Sequence, residues 1–475
     1  MKYYLSALLL LSACRSYHPH VSEIEVPIAW KEPIPQGGEV FDNYRFWEVF
    51  EDPLLNALEE EAITGNFDLQ IAAYRIEEAQ SFIKKERAER FPHVDMGVSI
   101  MNDETLLNPR SFGSPQKLQR VQQRQYNFLS DFSYELDLWG KLKAKEKSAR
   151  YRWEASKWER EFIYQTMTTD IALHYFTLRT IEEEIMFLRT ALESWKDTVA
   201  LNESRIQAGL EPEVNLARAK QEAEVTQTTL QRSEQAYARE EHILALLVGK
   251  PASTFSIASG KLPTRVPGVP HVLPSQVLLR RPDVKEAQAL VSAGRSDVDV
   301  ALREYFPSFA LTSSLGLSTP VLSHFFEWQA RYWSYALNVL QPLFDGGKRR
   351  AMEQLAKARF FENFVQYQKT VSQAFKDVED AISDLHYRQL QYESQMRAVE
   401  ASIDTFFLSK ERFDGGLISY LLVADADRNT INIRREAIAL KGERIMAWIR
   451  LMKATGIQRD EEKITSPLSL KEKHQ

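Results

Sequence analysis

Cysteine occurs once, at Cys14, so no disulfide can form within the chain. Glycine and proline are scarce, 18 and 19 among 475 residues, which disfavours a fold of many short elements and agrees with long helices. No apolar run approaches the roughly 20 residues that a membrane-spanning helix needs. Any crossing of a bilayer must then be made by strands or by attached lipid. The net charge of −6 is mild and no basic face is concentrated, which argues against a nucleic-acid partner. Signatures of catalysis are missing too: there is no GxGxxG, no P-loop and no HExxH. The nine histidines are scattered, and only His18-Pro19-His20 sets two close together, too few ligands for a zinc site. No catalytic residue and no metal site are expected.

What the chain does have is a seven-residue beat, kept twice. Ile171, Leu178, Ile185, Leu192, Val199 and Ile206 carry it first, and Val378, Leu385, Tyr392, Val399, Phe406 and Phe413 carry it again 207 positions later. A second lane at Met167, His174, Ile181, Leu188 and Trp195 makes the spacing alternate four and three, the mark of a long helix with a narrow seam. His174 lies in that lane and reads as a packed or hydrogen-bonded core residue. Other landmarks recur in order: Phe91-Pro92 as Phe306-Pro307, Gly140-Lys141 as Gly347-Lys348, and Arg205 with Gly209 as Arg412 with Gly416. A helix filling the interval from Gly140 to Gly209 would be about 100 Å long, too long for one globular core to cover. Its seam should face neighbouring helices in a bundle or tube.

Between these helices the period changes to two. Val94, Met96, Val98 and Ile100 alternate with polar residues, and Phe132, Tyr134, Leu136 and Leu138 do so again. The second half repeats this with Phe309, Leu311, Leu315 and Leu317, then Trp333, Tyr335, Leu337 and Val339. Each copy thus carries one hairpin, and such segments with aromatic ends suit a transmembrane β-barrel. Four strands cannot close a barrel. Two chains would give eight strands with an interior filled by side chains, whereas three would give twelve and leave a passage. The expectation is a homotrimer.

At the start, Lys2 and the apolar run Leu5 to Leu11 lead into Leu11-Ser12-Ala13-Cys14, a secretory signal ending at a lipobox. The reading by segment is a lipoprotein signal peptide over 1–13, a lipidated tether over 14–52, a first repeat over 53–260, a second over 261–458 and a flexible tail over 459–475. The first repeat opens with one helical stretch from about Pro53 to Arg90. Lipid attachment is expected at Cys14, with no other cofactor.

The turns at Gly209 and Gly416 draw attention because acids follow the second one, at Asp425 and Asp427. Acids after a helix reversal can serve the positive start of the returning helix. In a threefold tube each would instead form a ring of three carboxylates that attracts cations.

At these residues the chain resembles the outer membrane efflux proteins, the TolC-like outer membrane factors, and within them the lipidated branch that serves resistance-nodulation-division (RND) pumps. The resemblance rests on Phe46-Trp47 with Asp52-Pro53-Leu54, Gly65-Asn66 with Asp68-Leu69, Tyr134 through Lys141, Leu279 through Val284, Phe306-Pro307, Pro342 through Gly347, and Arg412 through Ala426. It implies a mainly α fold with membrane β: a trimeric twelve-stranded outer-membrane barrel, four strands per chain, continuous with a long periplasmic α-helical barrel. It implies a passive exit duct for small hydrophobic or amphiphilic solutes, opened by a periplasmic adaptor and an inner-membrane pump, with outer membrane lipid as its surroundings. Carried over by position, Asp425 and Phe413 would form the pore constriction, and Gly209 and Gly416 the periplasmic tip turns. Leu422 stands where many relatives have another acid. The competing reading is a periplasmic coiled-coil adaptor or structural tethering lipoprotein, which would need one hairpin and not a duplicated unit.

Overall fold

Wherever the period of the sequence changes, the element changes with it. The computed structural model describes residues 25–31, 43–107, 119–210, 212–269 and 274–456. Cys14, the 1–13 segment and the 459–475 tail lie outside the described residues. In chain order the elements are α1 (Pro53–Gly65), α2 (Phe67–Ala88), β1 (His93–Leu107), β2 (Gln119–Glu135), α3 (Lys141–Gln207) and α4 (Glu213–Val248). After the join come α5 (Pro274–Arg280), α6 (Pro282–Arg303), β3 (Ser308–Thr319), β4 (Arg331–Leu340), α7 (Lys348–Asp414) and α8 (Tyr420–Thr455).

The duplication holds residue by residue. α3 and α7 are each 67 residues long and α4 and α8 each 36, every boundary being displaced by 207, as from Lys141 to Lys348 and from Val248 to Thr455. α2 and α6, both of 22 residues, begin 215 apart at Phe67 and Pro282. The step therefore shortens by eight across the strands, which makes the first hairpin the longer. Glycines with φ between 71° and 90° recur at the same 207 step, Gly140 with Gly347, Gly209 with Gly416 and Gly249 with Gly456.

Two differences from the sequence reading have local causes. The stretch from Pro53 to Arg90 is two helices, because Asn66 adopts an extended conformation (φ −65°, ψ 130°) and its Oδ1 caps the next helix, accepting from the N–H of Asp68 and Leu69 at 2.9 and 3.1 Å. The second strand starts at Gln119 and ends at Glu135, so Leu136 and Leu138 lie beyond it. There Asp137 caps α3, accepting from the N–H of Leu142 and Lys143 at 3.0 and 2.8 Å.

The described residues pack as two compact units, one drawing on those within 75–156 and 287–367, the other on those within 25–74, 157–286 and 368–456. Each draws on both repeats. The first contains an antiparallel sheet in the order β1-β2-β3-β4. In one register row Val98 faces Phe128, Phe128 faces Leu317, and Leu317 faces Arg331. Counting by twos from that row puts Val94, Met96, Ile100, Phe132, Leu311, Trp333, Tyr335 and Leu337 on one side of the sheet. Most of the strand residues left exposed and apolar come from that side, Tyr335 at 76% exposure among them. The opposite side is polar and cross-linked: Gln125 donates to Ser318 at 2.6 Å, Ser318 to Asn127 at 2.7 Å, and Asn127 to Ser99 at 3.2 Å.

In the second unit the seam residues go inside. Ile171, Leu178, Ile185, Leu192, Val378 and Leu385 are buried, as are Met167, Leu188 and Trp195 of the second lane. His174 is half-buried, its Nδ1 2.7 Å from Glu240 Oε2. Phe50 meets both Phe176 and Trp448, at centroid separations of 4.6 and 5.3 Å. The guanidinium of Arg179, buried in the same unit, meets Glu182 at 2.6 Å, the Ala258 carbonyl at 2.8 Å and the face of Tyr175 at 4.7 Å. Thr180 and Gly442 show how closely α3 and α8 approach, since a Cβ on Gly442 would fall 2.0 Å from the Thr180 hydroxyl.

Gly249 ends α4 in the left-handed region (φ 81°), and a Cβ there would lie 2.2 Å from the Gly65 carbonyl oxygen. Gly249→Ala should lower stability by at least about 1–2 kcal/mol from backbone strain alone, read as a lower thermal unfolding midpoint; an unchanged midpoint would contradict this packing.

Candidate constriction site

Both long helices end in the same way. Leu210 N–H donates to the Arg205 carbonyl and Gly209 N–H to the Ile206 carbonyl, each at 2.9 Å; Leu417 pairs with Arg412 and Gly416 with Phe413, each at 2.8 Å. These are Schellman caps, which need a residue at positive φ, and Gly209 (71°) and Gly416 (72°) supply it. The cap leaves the next side chain outside, so Leu210 and Leu417 are 76% and 77% exposed. Val214 and Leu421, also 207 apart, are exposed as well.

Asp425 lies in the second turn of α8. Its Oδ1 accepts from Arg428 at 3.1 Å and from Arg218 of α4 at 3.4 Å. Arg428 also reaches Glu222 of α4 at 3.4 Å, and Glu222 is buried. Two arginines and two acids therefore tie α4 to α8. Arg218 and Asp425 are separated by 207, so the repeat places opposite charges in equivalent slots. Sequence reading picked out Asp425 but not Arg218, Glu222 or Arg428; adding 207 to Arg218 would have found the partner.

Asp427, two residues on, behaves differently. Burial pushes its carboxyl from the usual 3.8 up to about 6; the charge of Glu222 adds to the rise, while Arg434 and Lys410 oppose it. Phe413 is half-buried at the end of α7 and packs on the cluster of Trp195, Tyr420 and Ala424, its ring 5.7 Å from that of Tyr420. It thus sits beside the backbone that carries Asp425. Leu422 is about half exposed. Cys14 lies outside the described residues.

Known proteins share the doubled unit. The family model described as outer membrane efflux protein matches twice, over residues 58–250 and 273–457, one match to each repeat. A probable outer membrane lipoprotein of Salmonella typhimurium, SilC, is 26% identical over 461 residues, covering 95% of this chain and 97% of that protein. The toluene efflux pump outer membrane protein TtgI of Pseudomonas putida is 28% identical over 459 residues, covering 95% and 96%. Among solved structures, the outer-membrane channel OprN superposes with a TM-score of 0.84 at 25% identity, over 92% of this chain and 98% of that one. The doubled helix-and-hairpin unit, its paired turns and these matches together make the chain a member of the outer membrane efflux protein family.

Proposed function

We propose that the chain is the exit duct of a tripartite efflux system, three copies closing twelve strands in the outer membrane and conducting solutes passively when a periplasmic adaptor and an inner-membrane pump engage it. The observation that carries this reading is the sheet. One side is apolar and exposed, the other polar, and both edge strands, β1 and β4, leave a row of backbone groups unpaired within the chain. In lipid such groups must be paired, and copies of the same chain supply matching edges. Family membership favours this over an adaptor or tether, because the hairpin is duplicated.

Cys14 is proposed as the lipid attachment site, supported by the name of SilC as a lipoprotein. Small hydrophobic or amphiphilic solutes are proposed as cargo, in keeping with toluene in the name of TtgI. An RND-type pump is proposed from the lipidated branch that the motifs resemble. The chain itself catalyses no reaction.

Gating follows from the α4–α8 ion pairs. While Arg218 and Arg428 hold Asp425 and Glu222, α8 is tied to its neighbour, and an adaptor that binds the released arrangement better shifts the population toward it. The exposed pairs Leu210 with Leu417 and Val214 with Leu421 offer the adaptor an apolar footing near both turns. In the trimer, Asp425 would stand three to a ring, with Phe413 packed behind it.

Arg218→Ala with Arg428→Ala should raise single-channel conductance of the purified protein in planar bilayers severalfold, and Asp425→Ala should weaken block by multivalent cations; unchanged conductance and block would remove the gate from these residues. A second expectation concerns Asp427. Its carboxyl binds a proton more tightly folded than unfolded, so stability should fall as pH rises from about 4 to about 6 and level off above. Asp427→Asn should flatten that slope and raise the unfolding midpoint at pH 7.5 but not at pH 4; an unaltered slope would contradict the buried carboxyl.

A further inference from the structure

The apolar side of the sheet ends along two borders, and their course is informative. Toward the hairpin turns, the uninterrupted apolar series on that side ends at Ile100, Tyr126, Leu317 and Trp333, from β1 to β4. Ile100 and Tyr126 share a register row, Leu317 lies one row lower, and Trp333 one lower again. At the helix end the last apolar residues are Val94, Tyr134, Phe309 and Val339, and that border also drops by two rows across the sheet. Two parallel staircases are what a level apolar slab leaves on strands inclined to it. Each strand crosses the slab with four or five side chains, about 20–30 Å along the strand, the measure of an outer-membrane apolar band.

The first positions past the upper border stand at one level. They are Asn102, Arg124, Thr319 and Arg331, which puts an arginine on β2 and another on β4, on the lipid side of the sheet and at the end away from the helices. Both arginines are exposed. Among the described residues neither has a carboxylate within 4 Å, and Glu104, further along β1 on the same side, is not without a partner. The guanidinium of Arg331 lies flat on Trp328, 3.2 Å from the ring centroid, and Trp328 itself is 71% exposed. Stacking fixes the plane of the guanidinium and leaves its edge N–H groups free to donate. Two strands apart and four residues out of register, the arginine positions are about 17 Å from one another.

We propose that Arg124 and Arg331 form a binding belt for the phosphate-bearing head groups of anionic lipid in the outer leaflet. A guanidinium at the border between apolar chain and water meets a phosphate in the fork geometry that suits it best. The trimer repeats the pair three times, giving an arginine on alternate strands around the rim. The occupant is lipid because the pair is continuous with the apolar band: an acyl chain lying on Leu317 or Trp333 brings its own phosphate to this level. The inference rests on the barrel reading above.

Native mass spectrometry of the full-length protein released from nanodiscs of mixed phosphatidylglycerol and phosphatidylcholine tests it. The wild type should retain phosphatidylglycerol in preference, and the double variant Arg124→Gln, Arg331→Gln should lose at least about threefold of that retention while remaining a trimer with unchanged single-channel conductance. Equal retention of the two lipids by the wild type, or undiminished retention by the variant, overturns the belt. So does displacement of the lipid by millimolar inorganic phosphate, which would make the arginines a free-anion site. Failure of the wild type to form conducting trimers would overturn the barrel reading, a result that the lipid count does not mimic.

Discussion

Unpaired backbone governs this molecule. A four-stranded sheet whose apolar side is left exposed suits lipid, yet in lipid a free strand edge costs several kcal/mol for each unsatisfied group. The chain has two such edges, β1 and β4, and ends its sheet there. Closure by further copies removes both edges at once and explains why the chain carries so few strands for its length. The same closure supplies neighbours for the exposed apolar residues of the long helices, such as Met186, Leu201 and Phe407, for which a single copy offers no cover.

Duplication then explains the geometry of the α4–α8 tie. Because α3 with α4 and α7 with α8 are equal in length and offset by one constant step, their turns and returning helices present equivalent faces to each other. Had the equivalent residues been identical, Arg218 and its counterpart would repel. Asp425 in that slot turns the contact into attraction, and Arg428 with buried Glu222 extends it. The half-exposed pairs of Asp425 are individually weak, so the proposed partner could undo them.

The long helices were the most legible part of the sequence. Their seam repeats every seven residues, and the buried set of Ile171, Leu178, Val378 and Leu385 follows it. β2 was legible only at its end, because Gln119 through Gln125 are polar apart from Val121 and lie outside the apolar band where alternation is written. The break at Asn66 was hidden for a related reason: a cap is made by one side chain and leaves the apolar spacing around it nearly intact. At the candidate site, Gly209 and Gly416 could be found because positive φ narrows the choice of residue. Arg218, Glu222 and Arg428 could not, since charges on a helix read as a solvated face until a second helix is placed against them.

A cysteine scan of β1 against β4 in the membrane-embedded protein tests edge closure most directly. If neighbouring copies complete the sheet, suitable pairs will cross-link between chains and the ladder of products will end at three. Disulfides that form within one chain, a ladder ending at two, or no cross-link at any register would contradict the account.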